Sequence, residues 1–343
     1  MHSRFLLLAC LLTAPGAGTL AQTDSTRTPT EEINFDDFGD ADDKKVRTFA
    51  TQKVLYLSPT KLISVGYEAQ APFDLIRTPG LSEPPGGVNE FRVNRFGGLR
   101  LGLNAPVISR SSFILNLGLT YWNTGVGMTL KNGGTAANPF ANGLRSTGVS
   151  ATVFKPFDIR RFLLVQANAD ASGDYRGFGD LSSNVLTYSG TAIYGWKRDD
   201  NFMWGLGLTR TYRAGQVLHI PVLYYNRTFS PKWGVEAILP ARANLRRSFG
   251  TTSLLMVGYE IEGNAFYLRD ADAYLRRGEL KPRITYERRL AGFVWLSAQV
   301  GWRYNWRFGV FRTQNPVRDE QPLVEYRLGN PLYVNLSLNL VSP

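Results

Sequence analysis

The chain has 343 residues, 43% of them hydrophobic and 13% aromatic, with 34 glycines, a single cysteine and a formal charge of +11. Beyond the N-terminus no apolar run approaches the roughly 18 residues of a membrane helix, which excludes a helical membrane protein. The lone Cys10 excludes a disulfide framework and a thiolate metal site, while the mildly negative mean hydropathy suits strands in which every second residue is polar.

Residues 1–21 combine a basic start (His2, Arg4), an apolar centre from Phe5 to Leu12 and a small-residue end at Thr19-Leu20-Ala21. This is the pattern of a secretory signal peptide cleaved after Ala21. Leu7-Leu8-Ala9-Cys10 has the form of a lipoprotein box, but the apolar run before Cys10 is short and the one after it continues. Residues 22–45 follow as an acidic segment, expected to be mobile in the periplasm. Within 22–43, eight carboxylates stand against Arg27, a net of −7, and with Arg4 in the signal this leaves +17 for residues 44–343. The Asp-rich run Asp36–Asp43 lacks the spacing of a calcium loop, so no metal is expected there. Residues 46–57 fit either a first strand or a plug, and 46–343 form the barrel domain argued next.

From Leu62 onward apolar and polar residues alternate with period two, the signature of strands with one apolar face. Ile63, Val65, Tyr67 and Ala69 oppose Ser64, Gly66 and Glu68. Val93, Leu99, Leu101, Leu103 and Val107 oppose Arg92, Asn94, Arg100 and Asn104. Phe113 to Tyr121, Val149 to Val153 and Leu163 to Ala169 repeat the pattern, as do Leu186 to Trp196, Phe202 to Leu208 and Leu218 to Tyr224. Trp233, Val235, Ala237 and Leu239 then face away from Glu236, Arg242, Asn244 and Arg246, reading as one strand. Leu255 to Ile261 and Ile284 to Leu290 follow. The clearest stretch is Val294–Phe308, whose even positions are all apolar and end in Trp302, Tyr304, Trp306 and Phe308, while Arg303 and Arg307 lie on the other face. Leu332 to Leu340 closes the series.

These thirteen stretches imply an all-β fold, a transmembrane antiparallel up-and-down β-barrel. Bacterial barrels favour even strand numbers, so about 12 are expected within a range of 10–14, with 14 reached if residues 46–57 add one. Connections divide into short ones (108–112, 155–161, 197–201, 229–232, 290–292) and long ones (123–143, 172–183, 268–280, 309–330), as short periplasmic turns and long external loops require. Strict alternation fails between residues 248 and 292.

The signal ending Leu20-Ala21-Gln22, the stretch Ser58-Pro59-Thr60-Lys61-Leu62-Ile63-Ser64-Val65-Gly66-Tyr67-Glu68, the Phe154-Lys155-Pro156-Phe157 turn, and Leu239-Pro240 followed by Gly258-Tyr259-Glu260 resemble an uncharacterised outer-membrane β-barrel family of the Bacteroidetes type. The resemblance covers most of residues 45–343. It implies a barrel in the bacterial outer membrane and brings no catalytic residues. The chain departs from many bacterial barrels in ending Leu340-Val341-Ser342-Pro343 instead of on an aromatic residue.

Barrel enzymes that act on lipid carry a strand-borne His-x-Ser pair. Here, after signal removal, only His219 remains, and Pro221 occupies the position of the serine, so no catalytic site is expected. The absence of a second histidine leaves no metal or cofactor site, and Asn132-Gly133-Gly134 has no following helix to hold a phosphate. Glu236, Glu260 and Glu262 could pair as acid and base, but Arg242, Arg246 and Arg283 nearby favour charge pairs across a lumen. Arg92, Arg100, Arg242, Arg246, Arg283, Arg303 and Arg307 fall on expected inward faces. They could form a positive ring that selects anions or pair with Glu68, Asp170, Glu236, Glu260, Glu262 and Glu287 to fill the interior. Three classes of function follow: a passive channel or transporter for small, anionic solutes; a structural or binding barrel with a closed lumen; and, least supported, a lipid-modifying enzyme. Expected partners are outer-membrane lipid, lipopolysaccharide, the barrel-assembly machinery and small anionic solutes. The arginines alternate along strands and form no single patch, so nucleic acid is not among them.

Overall fold

The computed structural model describes residues 48–79, 89–131, 138–213, 215–315, 317 and 320–342. The expected signal peptide, the acidic segment and Asn132-Gly133-Gly134 lie outside them. In chain order the strand segments are β1 (Lys61–Gln70), β2 (Phe73–Pro79), β3 (Asn89–Arg110), β4 (Phe113–Leu130), β5 (Leu144–Pro156) and β6 (Arg161–Gly173). Next come β7 (Leu186–Asp199), β8 (Phe202–Thr211), β9 (Leu218–Thr228), β10 (Trp233–Leu239), β11 (Arg242–Phe249) and β12 (Ser253–Leu268). The series ends with β13 (Ala273–Ala291), β14 (Val294–Trp302), β15 (Tyr304–Phe311), β16 (Val324–Leu328) and β17 (Leu332–Val341).

All seventeen belong to one sheet. Three pairs of consecutive segments, β1 with β2, β14 with β15 and β16 with β17, run in line as single staves, because β3 accompanies both members of the first pair and β13 both members of the second. Fourteen staves result. Each is antiparallel to its neighbour in sequence, and β17 closes the ring on β1 from Lys61↔Val341 to Gln70↔Tyr333. Closure of β17 on β1 removes the terminal edges of the sheet, as crossing lipid requires.

The three interruptions are neighbours in the wall. Pro72 and Pro331 have no N–H for the ladder, and Arg303 is the residue between β14 and β15. There the amide of Ala71 donates to the Leu332 carbonyl at 2.8 Å and that of Arg303 to the Pro331 carbonyl at 3.0 Å. On the side of this line toward the short turns, the outer face is apolar: Val65, Leu101, Leu119, Val149, Leu206, Val257, Val300 and Leu336 are all exposed. Aromatics border that belt. Phe157, Phe229, Phe249 and Phe293 are exposed at the short turns, and Trp302, Tyr304 and Trp306 at the kink line. β14 spans the interval in 9 residues, the length a tilted membrane strand needs. Apolar outside and charged inside is the distribution of a barrel dissolved in lipid.

The expected one-strand reading of residues 233–246 is corrected to a hairpin folded at Leu239-Pro240-Ala241, and this supplies the fourteenth stave in place of residues 46–57. Ile238 faces Arg242, and Val235 faces Leu245. Because the chain turns between partners four residues apart, odd positions keep pointing outward on both arms and the alternation runs through the turn unchanged. Residues 268–280 are likewise no long loop. β12 and β13 pair without a break from Ser253↔Arg288 to Leu268↔Ala273, and the alternation is lost because Arg277, Glu279 and Lys281 are buried charges and Arg276 and Gly278 interrupt the opposite face. The long connections at 123–143 and 309–330 shorten too, as β4 reaches Leu130 and β16 returns at Val324.

If the belt faces lipid, Leu119→Arg, near its middle, should lower the stability of the folded barrel in vesicles by about 2–4 kcal/mol. The measurement is reversible folding into lipid vesicles under denaturant, followed by heat-modifiable gel migration. A mutant as stable as the parent would contradict the membrane placement.

Candidate functional site: the partitioned lumen

The lumen is divided into four regions, each built from inward-facing positions. At the short-turn mouth, residues 48–60 cross inside the wall before entering β1. The amide of Ala50 donates to the Asp158 carbonyl at 2.8 Å and that of Leu55 to the Asp200 carbonyl at 2.8 Å. The Lys197 ammonium donates to the Lys53 carbonyl at 2.9 Å, the Thr228 hydroxyl to the Leu55 carbonyl at 2.7 Å, and the Ser58 amide to Glu236 Oε1 at 2.9 Å. Val54 is seated among Phe154, Phe162 and Met203. The segment therefore packs as a strap across the mouth and pairs in no ladder. Its first anchor is firm: Asp158 accepts from the amides of Arg160 and Arg161, both at 2.7 Å. Those bonds, with the Arg161 guanidinium, hold its carboxyl down at about 2, so the turn keeps this support until pH falls to that value.

At mid-height an ion network spans the lumen. Glu68 on β1 accepts from Arg100 on β3 at 2.7 Å, from Lys281 on β13 at 3.0 Å, and from Arg303 at the kink line. Glu262 on β12 accepts from Arg100 at 3.1 Å and Lys281 at 2.7 Å. Glu279 accepts from Arg277 at 2.8 Å and Arg303 at 2.7 Å. Three carboxylates thus meet four cations on five staves. Arg303 is 1% exposed and Glu279 0%, so each carries its charge only because the network supplies opposite ones, since an unpaired buried ion costs several kcal/mol.

At the long-loop end the interior is apolar. Phe73, Leu75, Phe91, Val93, Phe266, Leu275, Phe308 and Tyr326 enclose Phe140 from the β4–β5 loop. Its ring meets Phe308 edge-on at 5.6 Å and Tyr326 at 5.5 Å. The remaining region, under β5 to β9, is open space: a cavity of about 790 Å³. One wall is hydroxyl and amide (Ser146, Ser150, Gln166, Asn168, Ser189, Thr191, Thr209), and the other carries Arg100, Arg213, Arg242, Glu260 and Glu262.

The sequence-predicted residues are distributed over these regions. Arg100, Arg303 and Glu262 belong to the mid-height network. Glu260 binds Arg283 and, at 3.1 Å, Arg213. Arg246 is fully buried near the strap and pairs with Glu236 at 3.1 Å. Arg307 donates to Gln216. Arg242 lines the cavity opposite Glu260 in the β11–β12 ladder and acts on that carboxylate through space, with no described carboxylate within 4 Å. Arg92 is corrected: it faces out, paired with Asp74 at 2.9 Å, while Phe91 and Val93 face in. A bulge between Val93 and Arg95 reverses the alternation, because one extra residue moves the following side chains to the opposite face. Arg277, Glu279 and Lys281 were missed. Their only signal was charge at every second position across a stretch read as loop.

Fold and interior together define a membrane-spanning antiparallel β-barrel with a partitioned, ionised lumen. No protein-family model and no curated protein matches the sequence. Among solved structures, the chain is similar to an outer membrane channel of Pseudomonas putida F1, with 13% identity over 83% of this chain and 97% of that one and a TM-score of 0.38. It is also similar to the Pseudomonas putida toluene transporter TodX, with 10% identity over 83% and 91% of the two chains and a TM-score of 0.35.

Removing Glu279 as Glu279→Gln should destabilise the barrel by about 3–5 kcal/mol, because Arg277 and Arg303 lose the carboxylate they share. A double cycle with Arg303→Met, read by denaturant unfolding in detergent or lipid, should show the two losses far from additive. Additive losses would mean that the pair is not coupled.

Proposed function

We propose that the chain is an outer-membrane barrel that passes small solutes, a passive channel or transporter held shut by its strap at the periplasmic mouth. The observation that carries this reading is the cavity of about 790 Å³, whose walls present hydroxyls, amides and charges to open space where a purely structural barrel would be filled. The short turns and both ends of the wall lie at one end, which supports reading that end as periplasmic; on this reading outer-membrane lipid, lipopolysaccharide and the assembly machinery are the partners. The resemblance to a Bacteroidetes-type family supports the same location.

Anion preference is expected to be weak. The cavity carries Arg100, Arg210, Arg213 and Arg242 against Asp170, Glu260 and Glu262, a small positive excess despite the +17 of the body. Arg303, whose Nη1 and Nη2 donate to Glu279 and Glu68, contributes to the wall and not to selectivity. A closed structural or binding barrel is the second reading, favoured by the strap and the ion network that fill the remaining cross-section. An enzymatic role has no support in the cavity: His219 is exposed on β9, where the lining residues are its neighbours Leu218 and Ile220.

The strap decides between the first two readings. Deleting residues 48–57 should raise single-channel conductance in planar bilayers several-fold over the parent, and the reversal potential under a salt gradient should have the sign of slight anion preference. Silence from both proteins, each confirmed as folded by heat-modifiable migration, would favour the closed barrel. A cation-selective potential would remove the anionic solutes.

A further inference from the structure

The rim at the short turns carries cations of two kinds. Between β5 and β8 they are matched: Arg161 pairs with Asp158 at 2.6 Å and Lys197 with Asp200 at 3.2 Å. From β9 to β14 the supply of carboxylates stops, since residues 229–232, 250–252 and 291–293, which form the three turns there, include no acid. Glu236 and Glu287 are near in sequence but face the lumen, engaged by Arg246 and Lys61. Arg227 on β9, Arg247 on β11 and Arg288 on β13 are exposed on the lipid side. Arg227 stands opposite Val235, Arg247 opposite the outward Trp233, and Arg288 two residues from outward Tyr286 and Leu290. Among the described residues, no carboxylate pairs with any of the three.

These arginines share one height. Arg227 and Arg247 each precede by two residues an exposed phenylalanine of the adjoining turn, Phe229 and Phe249, and Arg288 precedes exposed Leu290 by two. They therefore lie at the aromatic border of the belt. Rings hold two of them in place: the Arg227 guanidinium carbon is 5.4 Å from the centre of the Phe202 ring and 5.2 Å from that of Phe229, and the Arg247 guanidinium carbon is 5.1 Å from Trp233 and 5.2 Å from Phe249. A guanidinium flanked by aromatic faces keeps its full charge and its in-plane N–H donors, while the rings restrict its swing. Toward the middle of the membrane the same face continues as exposed Leu245, Val257 and Ile284, which neighbour one another across the ladder.

We propose that the outer face of β9 to β13 at the short-turn rim binds an anionic glycerophospholipid of the inner leaflet, its phosphate held by Arg227 and Arg247 and its acyl chains lying on Leu245, Val257 and Ile284. The site lies outside the lumen and rests on the reading of the short-turn end as periplasmic. Its chemistry is that of phosphate recognition, in which the planar fork of arginine donates two parallel hydrogen bonds. β9 and β11 are roughly 10 Å apart across β10, so a phosphate between them can accept from both side chains. Arg288, and Lys232 in the β9–β10 turn, add positive charge around that point. The charge pattern selects an anionic head group, because a zwitterionic one brings an ammonium of its own to a surface with no carboxylate to receive it. Depth explains why such arginines are tolerated on a lipid-facing wall: the cost of a cation there falls close to zero at the interface, where anionic lipid attracts it.

The test offers the detergent-solubilised full chain an equimolar mixture of phosphatidylglycerol and phosphatidylethanolamine with identical acyl chains, then repurifies the protein and quantifies the retained lipid by mass spectrometry. The parent should retain phosphatidylglycerol in preference, and the preference should fall as sodium chloride is raised. Arg227→Gln and Arg247→Gln should each lower it about fivefold, the worth of one arginine beside an anionic lipid surface, and together should abolish it. Arg110→Gln, an exposed arginine at the β3–β4 turn outside the patch, should leave it unchanged. Equal retention of the two lipids by the parent, or an unaltered preference in the double variant migrating as a folded barrel, would overturn the site. The parent's salt dependence decides the matter if the double variant does not assemble: a preference indifferent to salt would overturn recognition by charge. Orientation is read separately. Thr251→Cys, in the β11–β12 turn, should react with a membrane-impermeant maleimide only after the outer membrane is permeabilised. Labelling in intact cells would place the rim in the outer leaflet and overturn the choice of a glycerophospholipid, whereas loss of the lipid preference with correct labelling leaves the periplasmic reading standing.

Discussion

Backbone amides and carbonyls cannot be left unpaired in hydrocarbon, and the rest of the molecule follows from that constraint. It forces the sheet to close, which β17 does by pairing with β1 along its length. Closure turns one face of every stave to lipid and the other to a confined interior. The outer face can then be simple: Leu, Val and Ile through the belt and aromatics at its borders. The inner face must solve a harder problem, because fourteen staves enclose more space than aliphatic side chains of a wet lumen can fill.

The chain solves it differently at each height. Near the short turns the strap inserts Val54 into an aromatic pocket. At the kink line, where Pro72, Pro331 and Arg303 break three neighbouring staves, long cations reach across to Glu68 and Glu279. Arginine suits this place because its planar fork satisfies two carboxylates at once, as Arg303 does. Lysine281 adds a compact charge between Glu68 and Glu262, and its ammonium also lies 4.5 Å from the Tyr333 ring. Beyond the kink the interior becomes apolar around Phe140. The sector under β5 to β9 holds the cavity of about 790 Å³.

Much of the fold was legible in the sequence because a period of two survives wherever one face is lipid and the other water. Val294–Phe308 is the plainest case. It was illegible where that contrast disappears. In β13, Arg277, Glu279 and Lys281 face inward and Arg276, bonded to Thr313 and Glu320, and Gly278 break the opposite face, so neither face is continuously apolar and the stretch reads as loop. In β3 a single bulge reversed Arg92. At Pro240 a turn that preserved parity concealed a hairpin. For the lumen, alternation placed Arg100, Arg242, Arg246, Arg283 and Arg303 on the right face, yet it could not separate bound guanidinium from free. That difference depends on which staves meet across the barrel, and Glu68 and Arg303 are 235 residues apart.

The separation of bound from free cations changes how the net charge should be understood. A basic barrel body suggests an electropositive pore, but a charge acts on a passing solute only in proportion to what its immediate partners leave uncompensated. Arg303 and Arg277 are matched by Glu279 within hydrogen-bond distance and hold staves together. Arg283 and Arg213 share Glu260. Arg242 differs in degree: it stands opposite Glu260 at the end of β11 and acts on that carboxylate through space, without a described carboxylate within 4 Å, so more of its charge is left to the cavity.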